Sequence, residues 1–226
     1  MWVVPKIWTG ETCIILGGGI SMPRQFNVPE SVIASVIAGK QGPDIYASYM
    51  ESVFTRHVIA VNMSFKISHL SDVLFFGDLG FLKRFYSDVL AWKGLRVSCC
   101  NGAIECTGLV HTLKRDQSSN HGISWDPTSL CWHGNSGAAA INLAVLFGAT
   151  RIILLGFDMK LDSQNNQHWH KYYTTPVKVV NSVFTSFMNG FPKIANALVN
   201  KVEVINANPE SALTCFPKMA FQDIKL

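Results

Sequence analysis

The chain has 226 residues, which suits one domain with a sizeable core better than two, since domains commonly hold on the order of 100 to 200 residues. Its 48% hydrophobic and 15% charged residues exclude a disordered chain, and no apolar run reaches the roughly 18 to 20 residues that span a bilayer. The net charge of +4 suits an anionic ligand or a nucleic acid, but the lysines and arginines are dispersed, so charge alone does not choose between them.

The opening residues, MWVVPKIWTG, lack the basic start and long apolar core of a secretory signal, so a cytoplasmic protein is expected. In chain order, a strand at 12–16 (TCIIL) is followed by a helix near 30–38 and strands at 57–61 (HVIAV) and 72–76 (DVLFF). Next come a helix near 79–91, a strand at 95–99 (LRVSC), a helix at 137–147 and a strand at 151–155 (RIILL). A helix near 177–199 and a strand at 202–206 (VEVIN) complete the pattern. The strand runs are continuously apolar, as expected where both faces of a sheet are covered. The alternation predicts an α/β fold: one Rossmann-like domain over 1–226, mostly parallel, with helices on both faces. The polar stretch 160–175 (KLDSQNNQHWHKYYTT) reads as a long, lid-like loop. Cysteines 13, 99, 100, 106, 131 and 215 show no CxxC spacing and read as reduced thiols, with neither a disulfide framework nor a zinc site.

Ligands of an open parallel sheet collect at the carboxyl ends of its strands, so the residues that follow each strand carry the functional signal. After the first strand, Gly17, Gly18, Gly19 and Ser21 offer positive φ, close backbone approach and N–H groups for an anion; a plain turn is the alternative. Asn62 and Ser64 follow the second strand and read as contacts to a base or ribose, or as turn supports. Asp78 stands at the head of a helix, where N-capping is the ordinary role. Asn135, Ser136 and Gly137 open a helix apolar on nearly every side, whose positive dipole end suits a phosphate. Asp158 follows the next strand and suits a ribose hydroxyl, a metal or a loop cap. Beyond it, His168 and His170 share one side if the chain is extended, and either imidazole suits general-base work or metal binding.

Together the segments CIILGGGIS, IAVNMSF, DVLFFGD, GNSGAAAINLAVLFGATRIILLGFDM, HWH and VEVINANPESALTCFP resemble a family of phage and prophage proteins over nearly the whole chain. That family is in turn distantly similar to the Campylobacter-type sialyltransferases, which use CMP-sialic acid, and to the archaeal 6-hydroxymethylpterin diphosphokinases known as MptE-like. The sialyltransferase likeness places a Gly-Asn-Gly-Pro-Ser nucleotide loop on Gly17 to Ser21, with Gly18 in place of Asn and Ile20 in place of Pro. It implies nucleotide contact at Asn62, and puts Gly77 or Asp78 where those enzymes carry another Asn. It implies a phosphate and ribose role for Ser136 within Asn135-Ser136-Gly137. The family's phosphate-binding Tyr is lost at Lys160, for which Lys160 itself, Tyr172 or Tyr173 would substitute, and its catalytic base falls on His168 or His170. Asn206, Asn208 and Ser211 are either pocket residues or a closing turn.

The resemblance implies a glycosyltransferase that needs no obligatory metal, takes a CMP- or other nucleotide-sugar donor, and uses a hydroxyl acceptor on a glycan, a metabolite or a modified DNA base. If phage-encoded, it would work in the host cytoplasm. Two other functions fit the same pocket. One is pyrophosphoryl transfer from ATP with Mg²⁺ held by Asp78 and Asp158, and the other is nucleotide binding without turnover.

Overall fold

The computed structural model describes residues 2–100, 108–116, 121–173 and 177–226. Each predicted apolar run is a strand, trimmed by a residue at some ends. The first four are β1 (Thr12–Leu16), β2 (His57–Val61), β3 (Val73–Phe76) and β4 (Leu95–Ser98). Three short strands without an apolar signature follow: β5 (His111–Thr112), β6 (Lys114–Asp116) and β7 (Ser129–Cys131). The set closes with β8 (Arg151–Leu155) and β9 (Glu203–Asn206).

The helices are α1 (Ser21–Arg24), α2 (Glu30–Ile37), α3 (Leu79–Arg84), α4 (Tyr86–Ala91), α5 (Ser136–Phe147), α6 (Val177–Met188) and α7 (Phe191–Leu198). Two predicted helices are each broken in two. The 79–91 segment leaves helical geometry at Phe85 (φ −117°, ψ 27°). The 177–199 segment breaks at Asn189-Gly190, and Pro192 sits in the first turn of α7, where its missing N–H has no helical acceptor to serve.

Seven strands form one parallel sheet in the order β5-β4-β3-β2-β1-β8-β9, and β6 pairs with β7 separately. The chain builds outward from β1 in one direction and later returns to add β8 on the other side of it. That reversal leaves a crevice at the carboxyl ends of β1 and β8, the switch point at which such sheets bind ligands.

Side-chain alternation explains why both faces are covered. Cys13 and Ile15 of β1 pack with Ile59, Ile152, Leu154 and α5, whereas Ile14 and Leu16 pack with Val58, Ile153, Leu155 and the Ile33 and Val36 of α2. Cys13, Cys99, Cys100, Cys131 and Cys215 are free thiols, and Cys106 lies outside the described residues. No helix among the described residues is long and apolar enough to cross a membrane.

All twelve residues of α5 are buried, as its nearly uniform apolarity predicts. Its one amide, Asn142, is fully satisfied: Oδ1 accepts from the N–H groups of Ser124 (2.8 Å) and Cys131 (3.0 Å), and Nδ2 donates to the Ser124 carbonyl (2.8 Å). Replacing Asn142 with Leu keeps the branched shape of the side chain but strands three buried backbone groups. Asn142→Leu is therefore expected to lower the unfolding free energy by about 3 kcal/mol, seen as a lower urea midpoint.

Candidate functional site

A cavity of about 240 Å³ opens at the switch point. Its polar wall comprises Gly17 to Gly19, Asn62, Asp78, Gly134 to Gly137, Asp158, Lys160, Gln167 and His168. Its apolar wall is built from Val61, Phe157, Met159 and, from α6, Phe184 and Phe187. Most of the sequence-nominated residues thus meet in one place. Ser21, Ser64, Asn206 and His170 do not line the cavity and act on it from behind.

The three glycines are not a positive-φ turn; none of them adopts that conformation. They are required for close approach. A Cβ on Gly17 would stand 2.7 Å from the Gly156 carbonyl oxygen, and one on Gly19 2.6 Å from that oxygen and from the Asp158 carboxyl carbon. Gly156, at φ +72°, turns the end of β8 back onto this loop. The contact consumes donors expected to face a ligand: Gly17 N–H goes to Leu155 O (2.7 Å) and Gly19 N–H to Gly156 O (2.9 Å).

The segment His168-Trp169-His170 passes beside the glycine loop, with an isolated antiparallel bridge between Gly19 and His168 followed by a bend at Trp169 and His170. The two imidazoles stack at 4.8 Å with a 6° interplanar angle, while Trp169 packs edge-on against Tyr46. His168 Nδ1 lies 3.2 Å from the Gly18 carbonyl oxygen. Because a carbonyl only accepts, the proton sits on Nδ1 and Nε2 keeps its lone pair. His170 is the reverse: its Nδ1 accepts from the Tyr172 N–H (3.2 Å).

Burial lowers the pKa of His168 to about 4, and burial together with the neighbouring His168 lowers His170 well below its ordinary value. Both rings are neutral at pH 7. In the unfolded chain His168 takes up a proton below its ordinary 6.5, while in the fold it waits until about 4. The unfolded state therefore binds more protons in that window, and stability is expected to fall as pH drops from about 6.5 to about 4. In an acid titration followed by circular dichroism, His168→Phe should flatten that slope.

Asp158 is buried and its carboxylate is already occupied. It accepts from the Ser21 hydroxyl, from the Ser21 N–H at 2.9 Å and from Asn208 Nδ2 at 2.9 Å. Ser211 Oγ and Asn206 Nδ2 hold the adjoining Phe157 carbonyl at 2.6 and 3.2 Å. The C-terminal segment thus braces the β8 exit from behind and does not line the cavity.

Asn135 caps α5, its side chain accepting from the N–H groups of Gly137 (2.7 Å) and Ala138 (3.2 Å). Gly137 is there for packing, since a Cβ would meet the Phe157 ring at 2.7 Å. Asp78 makes no capping bond to its own helix. It faces the start of α5; burial raises its pKa, opposed by Arg115 and by the neighbouring Ser136 hydroxyl. Asn62 sits in the left-handed region (φ 51°), a conformation Asn tolerates, and its buried Oδ1 has no partner among the described residues. Lys160 supplies a cation to the lining, whereas Tyr172 and Tyr173 stay outside it, packed edge-on against Phe85. Sequence reasoning missed Phe184 and Phe187, although their i, i+3 spacing on a predicted helix marks a shared face.

Structural comparison finds proteins of similar fold. The whole chain matches the MAf glycosyltransferase from Magnetospirillum magneticum AMB-1 with a TM-score of 0.61 at 11% identity, and it spans 36% of that protein's length. The sialyltransferase CstII from Campylobacter jejuni, solved with cytidine-5′-monophosphate, matches over 94% of this chain and 86% of its own, with a TM-score of 0.52 at 10% identity. CstII solved with CMP-3FNeuAc gives a TM-score of 0.50 at 11% identity over 93% of this chain and 86% of its own. No family model matches the chain, and no curated protein matches it in sequence. At these identities what is shared is the architecture, a mostly parallel, Rossmann-like α/β fold.

Proposed function

We propose that the protein is a nucleotide-sugar-dependent glycosyltransferase in which His168 activates the acceptor hydroxyl. One observation carries this reading: a neutral imidazole, its proton committed to the Gly18 carbonyl through Nδ1, stands in the cavity at the switch point with Nε2 as its remaining acceptor. In the reaction, Nε2 takes the hydroxyl proton as the acceptor oxygen bonds to the anomeric carbon. The bond from that carbon to the phosphate oxygen breaks, and the nucleotide leaves with the electron pair. Charge developing on the phosphate is met by the Gly18 N–H, the start of α5 and Lys160. Asn62 Oδ1, a buried acceptor without a partner among the described residues, is suited to a base amino group or a ribose hydroxyl. Phe184 and Phe187 cover the apolar side and keep water from competing with the acceptor. The segment 160–173 brings Lys160, Gln167 and His168 to the wall of the cavity.

The CMP bound by CstII makes CMP-sugars the first donors to test, with glycan, small-molecule and modified nucleobase hydroxyls as acceptors. Thermal-shift screening of nucleotides and nucleotide sugars provides the test. A true donor at about 100 times its dissociation constant should add roughly 2.7 kcal/mol, and stabilisation by none of them would overturn the reading. Stabilisation by ATP alone, with product formation abolished by EDTA, would instead favour Mg²⁺-dependent pyrophosphoryl transfer. That chemistry would have to use an Asp158 whose oxygens already accept from Ser21 and Asn208.

A further inference from the structure

Two buried donors from distant parts of the chain meet at one carbonyl oxygen. Ser64, just after β2, donates its hydroxyl to Gly17 O at 2.9 Å, and Trp169 donates its indole N–H to the same oxygen at 3.0 Å. Both side chains are fully buried, and neither lines the cavity. A carbonyl oxygen has two lone pairs, so this one is fully used. In a planar trans peptide the next residue's N–H points opposite to the carbonyl, so fixing Gly17 O also fixes the direction of Gly18 N–H.

The following peptide is held as well, because Gly18 O accepts from His168 Nδ1 (3.2 Å) and from the Trp169 N–H (3.3 Å). The neighbouring N–H groups of Gly17 and Gly19 are bonded to the end of β8. Gly18 N–H is the exception: it has no partner among the described residues, and Gly18 lines the cavity. A side chain at this position would stand 2.8 Å from His168 Nδ1, so the ring and the bare backbone occupy the site together.

We propose that Ser64 and Trp169 are positioning residues that grip the Gly17 carbonyl from behind and thereby aim the Gly18 N–H at the phosphate of a bound nucleotide. The inference rests on the nucleotide-site reading above. It differs from the simpler view that each side chain only satisfies its own donor, because it ties two residues outside the cavity to the phosphate and not to the base or sugar.

The test compares each of four 5′-monophosphates (CMP, UMP, GMP, AMP) with its own nucleoside by calorimetry, in wild type, Ser64→Ala, Trp169→Phe and the double variant. Wild type should bind at least one monophosphate more tightly than its nucleoside. Each single variant leaves one donor on the carbonyl and should change that preference by less than about threefold, whereas the double variant should lose about tenfold of it with nucleoside affinity retained. In ¹⁵N-labelled wild type, the Gly18 amide should shift more on adding that monophosphate than the amides of Gly17 and Gly19, a readout independent of whether the double variant folds. A double variant that keeps the wild-type phosphate preference, or a Gly18 amide that does not move, overturns the proposal. Absence of any phosphate preference in wild type overturns the nucleotide-site reading itself.

Discussion

His168→Ala is expected to lower kcat for sugar transfer by about 10²- to 10⁴-fold, the range contributed by a positioned general base, while nucleotide binding changes little. His170→Ala should cost much less, on the order of tenfold, because His170 lies outside the cavity and acts by stacking on the base at 4.8 Å. The pH dependence sharpens the assignment. With the ring's pKa lowered to about 4 in the free enzyme, the acid limb of kcat/KM should fall near 4 and not near the ordinary histidine value of 6.5. A bound nucleotide phosphate places negative charge beside the ring, which favours its protonated form, so the limb of kcat should lie at higher pH than that of kcat/KM. A kcat/KM limb at 6.5, or full activity in His168→Ala, would remove His168 from the mechanism.

How much of this was legible in the sequence varies with the range of the interaction involved. The strands β1 to β4, β8 and β9 were legible because a strand buried on both faces must be apolar throughout, as Ile14 to Leu16 and Ile152 to Leu155 are. The short strands β5 and β6 were not, since His111-Thr112 and Lys114 to Asp116 are half-exposed and carry no apolar run. The edge at which functional residues gather was also legible, because parallel topology alone places residues 17, 62, 78 and 158 at strand ends. Their individual roles were not. Asp78, read as a helix cap or a ligand residue, makes no capping bond to α3 and lies by Ser136 of another helix, and Ser64, read as a ligand contact or a turn support, holds Gly17 from behind. Such contacts join residues 47 to 152 positions apart, beyond the reach of local periodicity or spacing. His168 and His170 were a local pattern, and their rings do stack on one another, although the chain bends between them. Only the fold distinguishes them, by setting His168 against Gly18 and His170 behind it.

Asp158→Ala is expected to destabilise the unliganded protein by about 3 kcal/mol or more, because it strands three donors at once: the Ser21 hydroxyl, the Ser21 N–H and Asn208 Nδ2. Hydrogen bonds to an ionised carboxylate are stronger than neutral ones, and this carboxylate ties the start of α1, the end of β8 and the segment after β9 to one another. The same position also lines the cavity, so loss of activity in this variant would not by itself distinguish a ligand contact from a brace. Urea unfolding without nucleotide makes the distinction, since a brace contributes its free energy before any ligand binds and a ligand contact does not. An unchanged unfolding midpoint together with a large drop in kcat/KM would identify Asp158 as a ligand contact. A midpoint that falls in step with about 3 kcal/mol places its main contribution in the architecture of the crevice. The close packing predicts the second outcome: Gly19 has no room for a Cβ beside the Asp158 carboxyl, so the glycine loop is seated on this side chain and moves when it is removed.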